Sequence, residues 1–368
     1  MTVGPDSLPK APHTNGKRAR RILILSYAYP PSVGGIERVS ELLADGLRER
    51  GWDVRVATWT PGDQGKAHVI RQPSMRTLVR GVRWADAVIE SNPSLRLSWP
   101  LAFHLVRTPR VTVIHTSLRH PGSPRRRLRD QAKVWLLPSS DTYTVSEWLA
   151  RSDGLSSATT MINPYDDTKF FSTSTSRDGE VLFVGRLVMA KGVDLLLEAL
   201  HRLSPTPTLT VIGDGPERAR LETEAGKLGL EADFLGSLAS QGIAEQMRRH
   251  KVLAIPSRLD PPEAFGIVVI EGIASGCRIV ATQSGGLPEV VSQFGSVVPV
   301  GDSRALAISI QHALNEPQDA ASDEQARESY LRRFGLSCFL DEYETAIQAA
   351  MSRMRNRRRP FAKWSALR

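Results

Sequence analysis

Two cysteines in 368 residues, Cys277 and Cys338, are too few for a disulfide framework, and no Cys/His cluster stands at zinc-binding spacing. A reducing, cytoplasmic setting is the expectation. Nowhere does the chain approach the ~20 consecutive apolar residues that a membrane-spanning helix needs, so any contact with a membrane is expected at its surface. Asp-x-Asp is absent from end to end, which argues against two paired carboxylates bridging a metal to a diphosphate. A phosphate-binding P-loop is missing too, because Leu221 stands where the first glycine of a loop ending in Gly226-Lys227 would be. The dinucleotide fingerprint fails in the same way: Gly213-Asp214-Gly215 follows an apolar run, but Arg218 fills its third glycine position. No short-period repeat is visible, which excludes solenoids.

What is present is an ordinary globular composition, 41% apolar and 24% charged, in a chain long enough for two domains with a core each. The net charge of +9 is unevenly distributed. Residues 1–172 carry 25 Lys/Arg against 15 Asp/Glu, residues 173–351 carry 16 against 24, and residues 352–368 carry 7 against none. A basic front, an acidic back and a basic tail point to two different tasks.

Residues 1–20 lack periodicity and are expected to form a disordered basic tail. The cluster Lys17-Arg18-Ala19-Arg20-Arg21 before Ile22-Leu23-Ile24-Leu25 imitates a signal peptide. Its apolar run breaks at Ser26 and Pro30-Pro31 with no small-residue cleavage site, so a buried strand over 22–29 is predicted instead. A turn through Pro30-Pro31-Ser32-Val33-Gly34-Gly35 and a helix on Ile36, Val39, Leu43 and Leu47 follow, then a strand over 53–58, which makes a βαβ unit with a parallel sheet. Further strands are expected at 87–90, 110–115 and 142–145. After a Ser/Thr-rich linker at 171–179, a second βα series begins, with strands at 181–185, 209–212, near 234, and at 252–255, 279–281 and 297–300. Pro216 is expected in the first turn of the helix after the second of these.

Doubly wound domains hold ligands just beyond the C-terminal ends of their strands. Gly34-Gly35, between a strand and a helix, offers backbone N–H groups and a positive helix end to an anion. Arg186 and Lys191 flank a strand end and could clamp a diphosphate as a fork and a point charge. In Pro261-Pro262-Glu263-Ala264-Phe265-Gly266-Ile267-Val268-Val269-Ile270-Glu271, two carboxylates stand eight residues apart in an otherwise apolar stretch. With a helix starting near Gly266, Glu271 lies more than a turn inside it among Val269, Ile270 and Ile273. There a carboxylate needs a partner, which a ribose diol, a sugar hydroxyl or a basic side chain would supply.

These segments, together with 213–216 and 281–291, resemble the donor domain of the retaining GT-B glycosyltransferases of family 4 (glycosyl transferases group 1). Glu263 to Glu271 is similar to that family's E-x7-E signature, Gly34-Gly35-Ile36-Glu37 to its N-terminal Gly-Gly loop, and Met161-Ile162-Asn163-Pro164-Tyr165-Asp166 to its interdomain segment. The resemblance implies an α/β architecture of two Rossmann-like domains facing each other across a cleft. They would comprise an acceptor-binding domain at 21–170 and a nucleotide-sugar donor domain at 180–338, with a helix at 339–351 crossing back to the first. It also implies roles. Arg186 and Lys191 would hold the diphosphate, with Gly213 and Asp214 in the donor site. Glu263 would bind donor-sugar hydroxyls, Glu271 the ribose, and the N–H groups of Phe265, Gly266 and Ile267 the sugar and phosphate. Gly35, beside Gly34, would face the phosphate from the other domain. His115, at a strand end, is favoured over His104 and His120 as the active-site histidine, assisting catalysis beside Glu263. No cofactor or metal is implied, only a UDP- or GDP-sugar as co-substrate.

The expected activity is transfer of a hexose, with retention, to a lipid-linked or glycan acceptor in surface-polysaccharide or glycolipid assembly. A small-molecule (secondary-metabolite) acceptor is the alternative. The run from residue 119 to 133, with Arg119, Arg125, Arg126, Arg127, Arg129 and Lys133, and the tail at 352–368 raise nucleic acid as a rival partner. Without interleaved aromatics or a recognition helix they fit an anionic membrane surface better, placing the protein on the inner face of the membrane, and no nucleic acid is expected.

Overall fold

The computed structural model describes residues 19–32, 34–62, 66–102, 106–118, 131, 133–134, 137, 141–173, 177–316 and 321–357. The basic stretch at 119–130, His104, His120 and the tail beyond 357 lie outside the described residues. The chain divides into two compact units, one of residues 1–145, 150–162 and 337–368, the other of 146–149 and 163–336. The change between them falls after Ile162, and residues 171–173 and 177–179 belong to the second unit.

In chain order the first part contains β1 (Arg21–Ser26), α1 (Gly35–Glu49), β2 (Asp53–Thr58), β3 (Val69–Arg71), α2 (Met75–Trp84) and β4 (Ala87–Ser91). It continues with α3 (Trp99–Ala102), β5 (Arg110–Ile114), β6 (Thr142–Thr144), α4 (Glu147–Asp153) and β7 (Thr159–Thr160). The second part contains β8 (Gly179–Val184), a 3-10 turn at Met189–Lys191, α5 (Val193–His201), β9 (Leu209–Ile212), α6 (Arg218–Lys227), β10 (Ala232–Gly236) and α7 (Ser240–Arg249). After these come β11 (His250–Ile255), α8 (Ile267–Ala274), β12 (Arg278–Thr282), α9 (Leu287–Val291), β13 (Gly295–Val298), α10 (Ser303–Asn315), α11 (Ala321–Leu331) and α12 (Leu336–Arg357).

Both sheets are parallel, with orders β3-β2-β1-β4-β5-β6-β7 and β10-β9-β8-β11-β12-β13. Continuous apolar strands such as Arg21–Ser26 are the sequence form of a parallel sheet covered on both faces, and Ile22 to Leu25 are all buried. In each sheet the order reverses between the first and fourth strands, β1 and β4 in one, β8 and β11 in the other. That switch point is where loops diverge and leave a crevice.

Several boundaries differ from expectation. The opening strand ends at Ser26 rather than residue 29, because Tyr27 is half exposed and Tyr29 turns back to accept Ser32 N–H at 3.2 Å. Pro216 lies ahead of the first helical residue of α6, whose N-cap is Glu217. Strand β3 and the two-residue β7 are too short to register as apolar runs. The last strand ends at Val298, short of residue 300.

The terminal helix is longer than its apolar stripe indicates. Within the first unit, Arg50 reaches Asp341 at 2.6 Å, Glu344 at 3.0 Å and the Ser337 carbonyl at 3.1 Å, while Trp52 Nε1 donates to Glu344 at 2.6 Å. Arg353 pairs with Asp141 farther along the same helix. Among the described residues, no helix is long and apolar enough to cross a membrane.

Candidate active site

The second unit gathers its candidate residues on the loops that follow β8, β9, β11 and β12. The loops after β8 and β11 are tied together by the Arg258 N–H, which donates to the Ala190 carbonyl at 2.7 Å, and by the Arg258 guanidinium on Asp194 at 2.6 Å. This juxtaposition brings Lys191 onto Glu263 as an ion pair. Ser257, almost fully buried, donates its hydroxyl to the same carboxylate oxygen, Oε1, at 2.9 Å. The Glu263 backbone is held as well: its N–H donates to Ser284 Oγ at 3.3 Å and its carbonyl accepts from Gly286 N–H at 2.8 Å. Both side-chain bonds fall on Oε1, leaving Oε2 available to a ligand hydroxyl. Two residues read separately from the sequence, a cation for phosphate and a carboxylate for sugar, thus stand in direct contact.

Arg186 differs from Lys191. Two residues past β8 it is exposed, and its side chain has no protein partner among the described residues. An unpaired guanidinium at a strand C-terminus is a fork for an anion. Close by, Gly213 follows β9 with a Cβ position only 1.9 Å from the Gly185 carbonyl oxygen, so the loops after β8 and β9 press together where only glycine fits. Asp214 is exposed and locally engaged, accepting from Gly215 N–H at 2.7 Å and facing Arg218 at 3.7 Å.

Helix α8 begins at Ile267 behind Gly266, whose φ of +92° is left-handed and whose Cβ would strike Leu287 at 2.5 Å. The first N–H groups of a helix have no partner within it. Phe265 is buried and packs on Phe334 with ring centroids 6.2 Å apart, anchoring the loop so that its main chain rather than its ring is available to a ligand. Glu271, more than a turn inside α8, is only half-buried and is engaged within the chain. The core side of α8 is taken by Val269, Ile270 and Ile273, which leaves Glu271 on the flank. The sequence reading of a carboxylate surrounded by apolar side chains is corrected accordingly.

In the first unit, Gly34 caps α1 in an extended conformation and Gly35, its first residue, is exposed. The carbonyl of Gly34 accepts from Arg38 N–H at 3.1 Å. Beneath this turn, the buried hydroxyls of Ser26, Ser40 and Ser91 form a chain with contacts of 2.9 and 3.2 Å, joining the ends of β1 and β4 to α1. Tyr29 is fully buried, and burial, with Asp45 and Glu41 adding to it, drives the pKa of its phenol upward.

His115 follows β5 directly and is buried. Its backbone N–H donates to Asn92 Oδ1 at 2.7 Å, and Thr116 N–H donates to the same oxygen at 3.3 Å. Asn92, with φ +57°, had no role in the sequence reading; its signal was the Asn-Pro step after an apolar run. Ser257 and Ser284 were likewise unassigned, and nothing in their local pattern separates them from loop serines.

With this geometry in place, residues 165–329 match the family model described as glycosyl transferases group 1. That match covers just under half of the chain and lies wholly within the second unit. Glycogen synthase of Mycobacterium tuberculosis is 27% identical over 375 residues, covering 83% of this chain and 88% of the relative. A GDP-mannose-dependent alpha-(1-6)-phosphatidylinositol monomannoside mannosyltransferase of Mycolicibacterium smegmatis is 35% identical over 157 residues, 39% of this chain and 40% of the other. Among solved structures, HepE of Anabaena in complex with UDP superposes with a TM-score of 0.75 at 21% identity, over 89% of this chain and 100% of that one. This likeness shows the GT-B fold, and the loops after β8, β9, β11 and β12 form the candidate donor site of the second unit.

Proposed function

We propose that the glycosyltransferase is a retaining family 4 enzyme that moves a hexose from UDP- or GDP-sugar to a lipid-linked or glycan acceptor, in surface-polysaccharide or glycolipid synthesis. The observation that carries this reading is the meeting of Lys191 and Glu263 beside the unpaired Arg186 at the switch point of the second sheet. Arg186, Lys191 and the α8 N-terminus supply positive charge where a nucleoside diphosphate departs, as catalysis by electrostatic stabilisation requires. Glu263 Oε2 takes a hydroxyl of the donor sugar, and Glu271 the ribose. Gly213, Asp214, Phe265, Gly266 and Ile267 frame the site. Gly34 and Gly35 offer backbone N–H groups from the first unit, and His115 assists the reacting sugar.

Charge neutralisation by side chains and backbone removes the need for a metal, so chelation by EDTA is expected to leave turnover unchanged. Support for the acceptor class comes from the mannosyltransferase relative, whose name specifies phosphatidylinositol monomannoside. Cations at 119–133 and in the C-terminal tail would hold the protein at the inner, anionic face of the membrane.

The test is a thermal-shift screen against UDP, GDP and ADP with their sugars. A nucleotide at 100 times its dissociation constant stabilises by about 2.7 kcal/mol. The matching nucleotide is expected to raise Tm in wild type and much less in Arg186→Ala. No response to any nucleotide, or an undiminished response in the variant, would overturn the site assignment.

A further inference from the structure

The loops after β1, β2, β3 and β4 meet at the C-terminal edge of the first sheet, because the order β3-β2-β1-β4 makes those strands neighbours. Trp59 N–H donates to the Tyr27 carbonyl at 3.2 Å, Gln72 N–H donates to the Thr58 carbonyl at 2.8 Å, and Arg71 donates to the carbonyls of Thr60 and Pro30. None of these residues was read as functional in the sequence, and the donor chemistry uses none of them.

Two properties distinguish this edge. Its described loop residues, 27–32, 59–62, 71–77 and 92–98, contain Arg71, Arg76 and Arg96, while the β2–β3 loop also carries Asp63, which lies outside the described residues. Glu37, at the start of the adjoining α1, accepts the Ser32 hydroxyl at 3.1 Å. The edge also exposes large apolar groups: Tyr27 is 47% exposed, Leu95 42% and Met75 68%. Isolated exposed apolar residues are ordinary, but three on loops of one sheet edge that also carries Arg96 make an amphipathic surface.

Arg96 is the chemically informative member. Its guanidinium lies over the Trp59 ring, 4.7 Å from the centroid, and no carboxylate among the described residues pairs with it. Stacking on an aromatic face holds the planar group and leaves its N–H fork, which lies in that plane, for bidentate contact with an oxyanion. Tyr27, whose carbonyl accepts the Trp59 N–H at 3.2 Å, supplies an exposed aromatic surface on the neighbouring loop. A neutral glycan would use the aromatic face alone and leave the cation idle. A free phosphate would use the cation alone and leave Tyr27 and Leu95 in water. Together they fit a ligand bearing both groups.

We infer that Arg96, with Tyr27 and Leu95, forms the acceptor subsite of the glycosyltransferase and that its occupant is a lipid whose phosphate headgroup carries net negative charge. The phosphate sits on Arg96, and the apolar portion lies along Tyr27 and Leu95. This rests on the reading of the first unit as the acceptor unit. It is separable from nucleotide binding, since Arg96, Tyr27 and Leu95 lie in the first unit and the cations proposed to take the diphosphate, Arg186 and Lys191, lie in the second.

The experiment uses the full-length protein and a short-chain lipid below its micelle concentration, so that the C-terminal basic tail has no membrane surface to bind. Dioctanoyl phosphatidic acid is titrated against wild type, Arg96→Gln and Tyr27→Ser, following tryptophan fluorescence. Dioctanoyl phosphatidylcholine and inorganic phosphate serve as the zwitterionic and headgroup-only arms, and the UDP and GDP thermal shifts are recorded for each variant. Saturable binding of the phosphatidic acid is expected, weakened about tenfold or more in Arg96→Gln by loss of a charge-assisted bidentate contact. A smaller loss is expected in Tyr27→Ser, with nucleotide shifts preserved. Undiminished binding in Arg96→Gln, equal binding of the phosphatidylcholine, or equal binding of inorganic phosphate overturns the inference. Absence of any nucleotide shift in wild type would count against the donor reading instead, while the lipid titration would still decide the subsite.

Discussion

Replacement of Gly285 by alanine isolates how the fold holds Glu263. Gly285 has φ +61°, and an added Cβ would lie 1.8 Å from the Glu263 carbonyl oxygen and 2.7 Å from its carbonyl carbon. The backbone conformation alone costs about 1 to 2 kcal/mol for a residue with a side chain. The steric conflict is with main chain, not with a flexible tip, so it is relieved only if the Glu263 segment shifts by roughly an ångström, the scale at which catalytic misplacement costs about 100-fold in rate. Gly229 provides the control, since its φ is +65° and nothing lies within 4 Å of its added Cβ. Gly229→Ala therefore carries the conformational cost without the displacement. Steady-state turnover and thermal melts on both variants separate the two effects. Both are expected to lose stability, with turnover falling about 100-fold in Gly285→Ala and staying near wild type in Gly229→Ala. Turnover in Gly285→Ala within twofold of wild type would refute the argument that this close approach fixes the carboxylate.

Removing the Ser257 hydroxyl, which contacts Glu263 at 2.9 Å, should lower kcat by about fivefold to tenfold, the scale of one buried hydrogen bond, with nucleotide binding unchanged in calorimetry. His115→Ala should reduce kcat by roughly 10² to 10⁴, the range for loss of a general acid or base, without altering the UDP or GDP thermal shift. His250 is buried between the Gln246 carbonyl at 2.7 Å and Thr210 Oγ1 at 2.9 Å, and burial lowers its pKa below the ordinary histidine value. The unfolded chain then binds its proton first, so this contribution to stability is complete above about pH 6.5 and shrinks as pH falls; urea melts at pH 7.5 and 5.5 should show a smaller acid loss in His250→Gln. Arg50→Ala breaks the contacts to Asp341, Glu344 and Ser337, and limited proteolysis should then release α12 from the first unit sooner, with the wild-type difference narrowing at high salt.

The two parallel sheets were legible because their strands are apolar without alternation, and the glycines at 213 and 266 marked a strand end and a helix start. Glu263 and Glu271 could be found because carboxylates are conspicuous in an apolar stretch. Their environments could not. Glu271 was read as surrounded by apolar side chains because periodicity says which residues share a helix but not how wide the buried stripe is. The Lys191 and Glu263 pairing spans 72 residues and depends on which strands are neighbours, which β8 and β11 become only through the crossover order of the sheet. Asn92 was missed for the same reason: its partner is the backbone of His115, a contact with no side-chain signature in either segment.

The acidic balance of residues 173–351 is compatible with a diphosphate site because the decisive charges are local. Long-range repulsion from exposed carboxylates is screened over ~8 Å at physiological ionic strength, whereas in the proposed site Arg186, Lys191 and the α8 N-terminus would act at contact distance. Lys191 is already neutralised by Glu263, so the net positive charge the proposed site would offer an incoming diphosphate comes first from Arg186, whose side chain has no protein partner among the described residues. As the diphosphate draws Lys191 toward itself, Glu263 loses charge compensation unless a hydroxyl donor reaches it, and the donor sugar carries such hydroxyls on the same molecule. A free nucleoside diphosphate can satisfy the lysine but not the carboxylate. The shared contact therefore gives the site a physical basis for preferring a nucleotide sugar over the nucleotide alone, and for releasing the nucleotide once the sugar has left.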